Sequence, residues 1–355
     1  MRRFLIIMAT VTLAAQSVHS QKLDLDSLPP YKPEHQVEGV IRIHGGYHSG
    51  QNLLRLWEGG FMKQHGAIRF SDYLLGTSIA IAGLVTGAAD VGLMGHEIWR
   101  PDLKAFYGFF GYEPLEIMFA TGSYNVPGAT PGVGIFVNKQ NPISKLTLKQ
   151  LDGILGRQRT GGWHGLHWTT EAARGTQENI HTWGQLGLTG EWANQPIHLF
   201  GIDATLSNWS GLIQKVVFQG GDKWNPALHE IVRGGVEVPA DVQIVNAVAD
   251  DRFALGFSFM QVIDENPRVK PVALAANERG PYIEPTRQTF YDRTYPLANS
   301  VYLYLNRPPG KPLSPRVKEF VRYVLSREGQ QAIADDHSYL PLTAEAAREE
   351  LRKLE

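Results

Sequence analysis

Cysteine is absent from the 355 residues, and that one absence excludes structural disulfides, thiolate nucleophiles, cysteine metal sites and lipid attachment through cysteine. Excess charge is also missing. The chain carries 34 Lys and Arg against 35 Asp and Glu, with two of the basic residues, Arg2 and Arg3, at the extreme N-terminus. Nothing in this balance steers the protein to nucleic acid or to an anionic membrane. No long apolar run follows residue 20, no unit repeats at a fixed period, and no tract is of low complexity.

What is present begins with an address. Arg2 and Arg3 precede an apolar run from Phe4 to Ala15, and small or polar residues from Ala15 to Ser20 lead to Gln21. The run is about a dozen residues long, against about 20 for a bilayer span, so residues 1–20 are expected to be a cleaved secretory signal peptide. Export to the periplasm or extracellular space, without stable membrane insertion, follows. The remainder holds 37 Gly and 21 Pro, with 43% hydrophobic residues across the chain. It is long enough to fill two lobes with adequate cores and no disulfides.

Residues 21–36, with Pro29, Pro30 and Pro33, read as an extended leader, so the fold is expected to begin near Val37. Val40, Ile41 and Ile43 make a short strand that stops at Gly45 and Gly46. Leu53, Leu54, Trp57 and Phe61 then recur at helical spacing. Similar units follow: strands at Arg69 to Tyr73, Ala89 to Met94, Val133 to Val137 and Ile197 to Phe200, and helices at Ile79 to Val85 and Leu146 to Leu155. Alternation of this kind indicates an α/β fold with mainly parallel sheets. The stretch from 156 to 184, rich in Gly, Thr, His and Trp, has no period and reads as a long insertion, either functional or a plain surface excursion. Near the C-terminus Val317, Phe320, Val321, Val324 and Leu325 form a surface-helix stripe, and Ser326 can cap the helix after it.

Twelve histidines invite a metal site, since His44 and His48, His96, and His164 and His167 are grouped. Their spacing is not that of His-Glu-x-x-His, and His44 and His48 straddle a strand end and a Gly loop, so neither metal nor cofactor is expected. Ser207, His48 and Asp203 could be assembled on paper into a hydrolytic triad. The chain has no Gly-x-Ser-x-Gly elbow to present the nucleophile, and no enzymatic activity is expected. Most of the eight tryptophans, among them Trp163, Trp168, Trp183 and Trp192, are expected to anchor cores or loops.

Several segments taken in order resemble the phosphate-binding proteins of ABC transporters, which have the type II periplasmic binding fold. They are Gly76-Thr77-Ser78-Ile79-Ala80, then Gly87-Ala88-Ala89-Asp90-Val91-Gly92, Phe136-Val137-Asn138 leading to Asn141-Pro142-Ile143, and Leu146-Thr147-Leu148-Lys149-Gln150-Leu151. Thr182-Trp183-Gly184-Gln185-Leu186-Gly187, Ala254-Leu255-Gly256-Phe257, Leu325 to Gln330 and Tyr339-Leu340-Pro341-Leu342 complete the series. The resemblance implies two α/β lobes joined by two crossover strands around a ligand cleft. Lobe one would comprise 37–127 and 262–355, and lobe two 128–261, with the insertion at 156–184. Helices that start at Gly-rich turns aim free N–H groups and a positive dipole end at one point, which suits an oxyanion.

The resemblance also implies four ligand-binding loops. The family uses Thr or Ser before the first helix, where the register from Trp57 puts His48 and Ser49; an imidazole there donates one or two hydrogen bonds according to pH. The hydroxyl of the family's Gly-Ser turn matches Thr77. The third element follows Asp90, itself read as holding the turn, and offers Gly95 with His96 and Glu97 beside it. The fourth departs most. The family shows an Arg shortly before Ser-Gly-Thr at a helix start, gripping phosphate through its planar fork. Here the spacing to Val217 and Phe218 puts Asp203 at the Arg position and Ser207, Asn208 and Trp209 at the triplet, and a second register through Ser210-Gly211 has no Arg upstream either.

A carboxylate in that place repels a doubly charged anion by about 4 kcal/mol per charge pair at roughly 4 Å and an effective dielectric near 20. Free inorganic phosphate is disfavoured. Tyr47, Asn208 and Trp209 suit a ligand with a face to stack on and hydroxyls or amides to pair, or one with a positive group for Asp203. The expectation is a monomeric solute-binding protein that captures a small ligand for an ABC permease. The alternative is an extracellular scaffold that kept the fold and lost transport.

Overall fold

The computed structural model describes residues 24–46, 50–202, 208–231 and 239–355; the signal peptide expected at 1–20 lies outside them. The first half of the chain runs β1 (Gly39–Gly45), α1 (Gln51–Gln64), β2 (Ile68–Tyr73), α2 (Ser78–Val85), β3 (Val91–Met94), α3 (Arg100–Phe110), β4 (Leu115–Thr121), β5 (Val133–Asn138), β6 (Lys145–Thr147), α4 (Leu148–Leu155), β7 (Gly162–His164) and β8 (His167–Thr169). The second half adds β9 (His198–Ile202), α5 (Asn208–Val216), β10 (Leu228–Ile231), α6 (Ala240–Asp250), β11 (Ala254–Phe259), α7 (Met260–Glu265), β12 (Val269–Pro271), β13 (Ala273–Ala275), α8 (Arg287–Tyr291), β14 (Ser300–Leu305), α9 (Pro315–Val324), α10 (Arg327–Asp336) and α11 (Ala344–Arg352).

Two five-stranded sheets result, ordered β2-β1-β3-β14-β4 and β10-β9-β11-β5-β12. Each has its own core. The first centres on Trp57, Phe61, Phe119 and Phe320, the second on Phe136, Trp183, Phe218 and Phe257. Both central indoles satisfy their N–H on a carbonyl, Trp57 on Gly329 at 2.9 Å and Trp183 on Phe253 at 3.0 Å. The fold is α/β as expected, but the sheets are not mainly parallel. β1 runs parallel to β2 and β3, while β14 is antiparallel to both β3 and β4. In the second sheet β9 is parallel to β10 and β11, and β5 is antiparallel to β11 and β12. β5 and β14 each join their sheet straight from the other half of the molecule, with no crossover helix to turn the chain back parallel. β12, α8 and the buried Tyr295 and Leu297 pack with the second core, although they lie within the stretch that the sequence reading gave to lobe one.

The leader is not a free extension. Leu25, Leu28 and Val37 are buried in the first core, and Tyr31 O–H donates to the buried Glu319 carboxylate at 2.7 Å. His65 accepts the Val37 N–H at Nδ1, 3.4 Å away, so its Nε2–H faces the Tyr31 oxygen at 2.7 Å. Arg322 holds Glu319 from the other side. Burial depresses the His65 pKa against a smaller opposing effect of Glu319.

The insertion is closed at its base by paired main-chain bonds between Arg159 and Arg174. Their guanidiniums converge on one carboxylate: Arg159 bonds both Asp152 oxygens at 2.8 and 2.7 Å, and Arg174 bonds the Asp152 carbonyl at 2.6 Å and Oδ1 at 3.2 Å. Both arginine side chains are nearly fully buried. Removing the shared partner strands two buried cations. Asp152→Ala is therefore expected to lower the unfolding free energy by about 3–5 kcal/mol in urea titration, and Tyr31→Phe by about 1.5–3 kcal/mol. Because the unfolded His65 takes up protons that the folded one refuses, stability at this position is present above the ordinary imidazole value near 6.5 and declines as pH falls below it. A melting temperature that rose on acidification from pH 7.5 to 5.5 would contradict that sign.

Candidate functional site

The first sheet delivers its strand ends to one place through close main-chain packing. β1 ends at Gly45 and Gly46, both at positive φ; a Cβ on Gly45 would stand 2.2 Å from the Leu93 carbonyl oxygen, so only glycine lets β1 leave the sheet beside β3. At the end of the neighbouring β2, Gly76 (φ 129°) turns the chain into α2, and Thr77 stands at the start of that helix, 3% exposed. Thr77 Oγ1 accepts the Gly95 N–H at 3.5 Å. The Gly95 carbonyl in turn accepts the Thr130 hydroxyl at 2.5 Å. A Cβ on Gly95 would lie 2.9 Å from Thr130 Oγ1, so the residue after β3 presents its main chain here because a side chain does not fit. Tyr339 pairs with Thr130 and, with Trp57 and Phe119, encloses a small void of about 20 Å³ beneath Gly46 and Gly95.

Thr77 and Gly95 are thus brought together, with His96 next along the chain. The His96 ring stacks on Trp99, 4.6 Å between centroids and 14° from parallel, with Nδ1 at 2.7 Å from the Glu97 carbonyl oxygen. A carbonyl only accepts, so Nδ1 carries the hydrogen and Nε2 keeps a lone pair. Burial lowers the pKa of this imidazole, and the Glu97 carbonyl with the Glu97 and Asp102 carboxylates only partly offsets that. The loop is pinned from below: Tyr304 O–H donates to Glu116 and its oxygen accepts the Ile98 N–H at 2.7 Å. From the second lobe, Lys215 at the end of α5 pairs with Glu97. Asp90 holds its turn, as expected, through Arg42 at 2.8 Å.

His48, Ser49, Asp203 and Ser207 lie outside the described residues, as does Tyr47; Asn208 and Trp209 open α5, and only their place at its start is described. Thr130 and Tyr339 were not singled out from the sequence as site residues. The signal available for Thr130 was its place in Gly128-Ala129-Thr130-Pro131-Gly132, between the strands that carry the chain from one sheet to the other. Among the described residues no three His, Asp or Glu side chains gather as a metal site, and no helix is long and apolar enough to cross a membrane.

Two sheets of mixed strand direction, each with its own core and joined where the chain passes from β4 to β5 and returns before β14, define a two-lobed binding protein. A family model described as a PBP superfamily domain matches residues 41–328, and the chain belongs to that superfamily. It is 30% identical over 352 residues to the phosphate-binding protein PstS of Pseudomonas aeruginosa, covering 98% of each chain. It is 22% identical over 223 residues to protein SphX of Synechococcus elongatus, covering 62% of this chain and 56% of the other. Among solved structures, PstS from Borrelia burgdorferi matches with a TM-score of 0.55 at 14% identity, over 86% of this chain and 100% of that one. An ABC-type phosphate transport receptor from Vibrio cholerae matches with a TM-score of 0.50 at 17% identity, over 84% and 99%. These structures share the fold.

The His96 geometry has a direct check. In a side-chain ¹H–¹⁵N titration His96 should be the neutral Nδ1–H tautomer at pH 7, with a midpoint below the ordinary value near 6.5. A midpoint above pH 7 would show the ring to be mostly charged at that pH, with no lone pair to offer.

Proposed function

We propose that this chain is the exported solute-binding component of an ABC-type importer, holding a small polar ligand between its lobes and doing no chemistry on it. The observation that carries the reading is the Thr77–Gly95 pair. As acceptor of the Gly95 N–H, Thr77 keeps its own O–H to give, at the start of a helix whose dipole favours a ligand oxygen. His48, Ser49, Gly95, His96, Asp203, Ser207, Asn208 and Trp209 are the other candidate contacts. The names of the Pseudomonas and Vibrio relatives support an importer and an oxyanion-like ligand, and a permease is the expected partner.

Free inorganic phosphate fits this pocket poorly. Thr77 and Gly95 are uncharged, burial works against a charge on His96, and Lys215 is already paired with Glu97. Residues 201–211, at the entry to α5, include no Lys or Arg and one Asp. A doubly charged anion would find no fixed counter-charge from these groups. A ligand of lower charge with hydroxyl groups of its own suits the donor at Thr77 and the lone pair at His96.

A thermal-shift screen across phosphate, sulfate, tungstate, sugars, amino acids and amines tests both halves. A cognate class should stabilise the protein by about 2.7 kcal/mol at a hundredfold excess over Kd, and Thr77→Val should weaken its binding roughly tenfold through loss of the hydroxyl. Stabilisation by no class would sink the capture reading. Tight binding of inorganic phosphate alone would keep capture and overturn the assignment of ligand charge.

A further inference from the structure

The lobes touch at a third place besides their two covalent crossings. On the first lobe the surface is α3 with its flanks; on the second it is the β7–β8 hairpin of the insertion and the end of α5. The Trp163 indole lies against Arg100, whose guanidinium carbon is 4.4 Å from the ring centroid, and Lys104 Nζ is 5.5 Å from the same centroid. Arg100 Nη1 is buried with no hydrogen-bond partner among the described residues, and the aromatic face is the contact its guanidinium makes. At the hairpin turn Gly165 (φ 57°) comes so close to α3 and the loop after it that an added Cβ would stand 3.4 Å from Glu113 Oε1 and 3.7 Å from a Leu103 methyl. Lys215 and Glu97 make the third contact of the group.

The hairpin is built to hold this position. Its strands pair Trp163 with Trp168, the two rings edge to face at 5.2 Å. The Trp163 N–H bonds the Gly220 carbonyl at 2.9 Å, and the Asp152 clamp fixes the base of the insertion on the second lobe. A cavity of about 780 Å³ beside that clamp has as many acidic as basic side chains on its walls and selects no ligand charge.

We propose that the β7–β8 hairpin is a clasp between the lobes, and that Trp163 and Arg100 are positioning residues for ligand capture. Two bodies joined by two chain crossings turn about an axis through those crossings, and a contact away from the axis forms at one setting only. Trp163 on Arg100 favours the setting described above by its differential energy, and apparent affinity scales with the fraction of molecules held there. The purpose of the clasp rests on the capture reading; its existence does not.

The test uses the absence of native cysteine. Lys63→Cys on the first lobe and Lys139→Cys on the second, both exposed positions, take one spin label each, and the distance between them is measured by pulsed electron resonance without ligand. The parent should give one narrow distribution. Trp163→Ala should add a second population, Arg100→Ala, which leaves the hairpin sequence intact, should add the same one, and the double variant should do no more than either. In binding of whichever class the screen identifies, each single variant should show a weaker Kd, by the same factor through which its share of the parent's distance distribution falls. Unchanged distances in both folded variants, or a change with Trp163→Ala alone, would overturn the clasp. The distance readout needs no ligand, so failure of the screen counts against capture and leaves this test standing.

Discussion

The arrangement turns on a single residue, Gly95, whose N–H and carbonyl are held from opposite sides. Its N–H points to Thr77 and its carbonyl receives Thr130, so the end of β3, the start of α2 and the segment crossing to the second sheet are locked within two hydrogen bonds. A side chain at this position would collide with Thr130. The same contact thus explains why the loop after β3 is bare backbone where it meets the other strand ends, and why the first side chain to emerge is His96, seated on Trp99.

Charge at the junction is managed by pairing and by burial. Glu97 and Lys215 satisfy one another across the lobes, Glu116 is buried beneath the Tyr304 hydroxyl with its pKa pushed up mainly by desolvation, and His96 resists protonation for the same reason. Under the proposed capture role, such a site selects through hydrogen-bond direction more than through Coulomb attraction. Such selection is less sensitive to salt than a cationic cleft would be.

Much of the fold was legible because local rules agree with the tertiary result. Glycines stand where the backbone must turn at positive φ, Thr147 and Ser326 cap the helices that follow them, and Val317, Phe320, Val321 and Val324 are buried on one face of α9. Thr77 and Gly95 could be found through short patterns that depend on neighbours in sequence. The direction of β5 and β14, the docking of the leader and the role of Thr130 could not, because each depends on a partner far along the chain: Tyr31 meets Glu319, and Gly95 meets Thr130. Periodicity reports which face of an element is apolar and is silent on which distant element will cover it. The anchor of the 156–184 stretch escaped for a different reason, since it is a buried charge cluster with no hydrophobic period to announce it.

The place of β14 in the first sheet carries a consequence for assembly. It lies between β3 and β4, so the sheet that the chain begins near its N-terminus stays open in the middle until Ser300–Leu305 has been synthesised, and the indole of Trp57 waits longer still for Gly329. The second sheet has all its strands by Pro271. The half of the molecule that starts first is therefore the last that can close, and a nascent chain carries a complete second sheet while β3, which leads to Gly95, still lacks its neighbour β14.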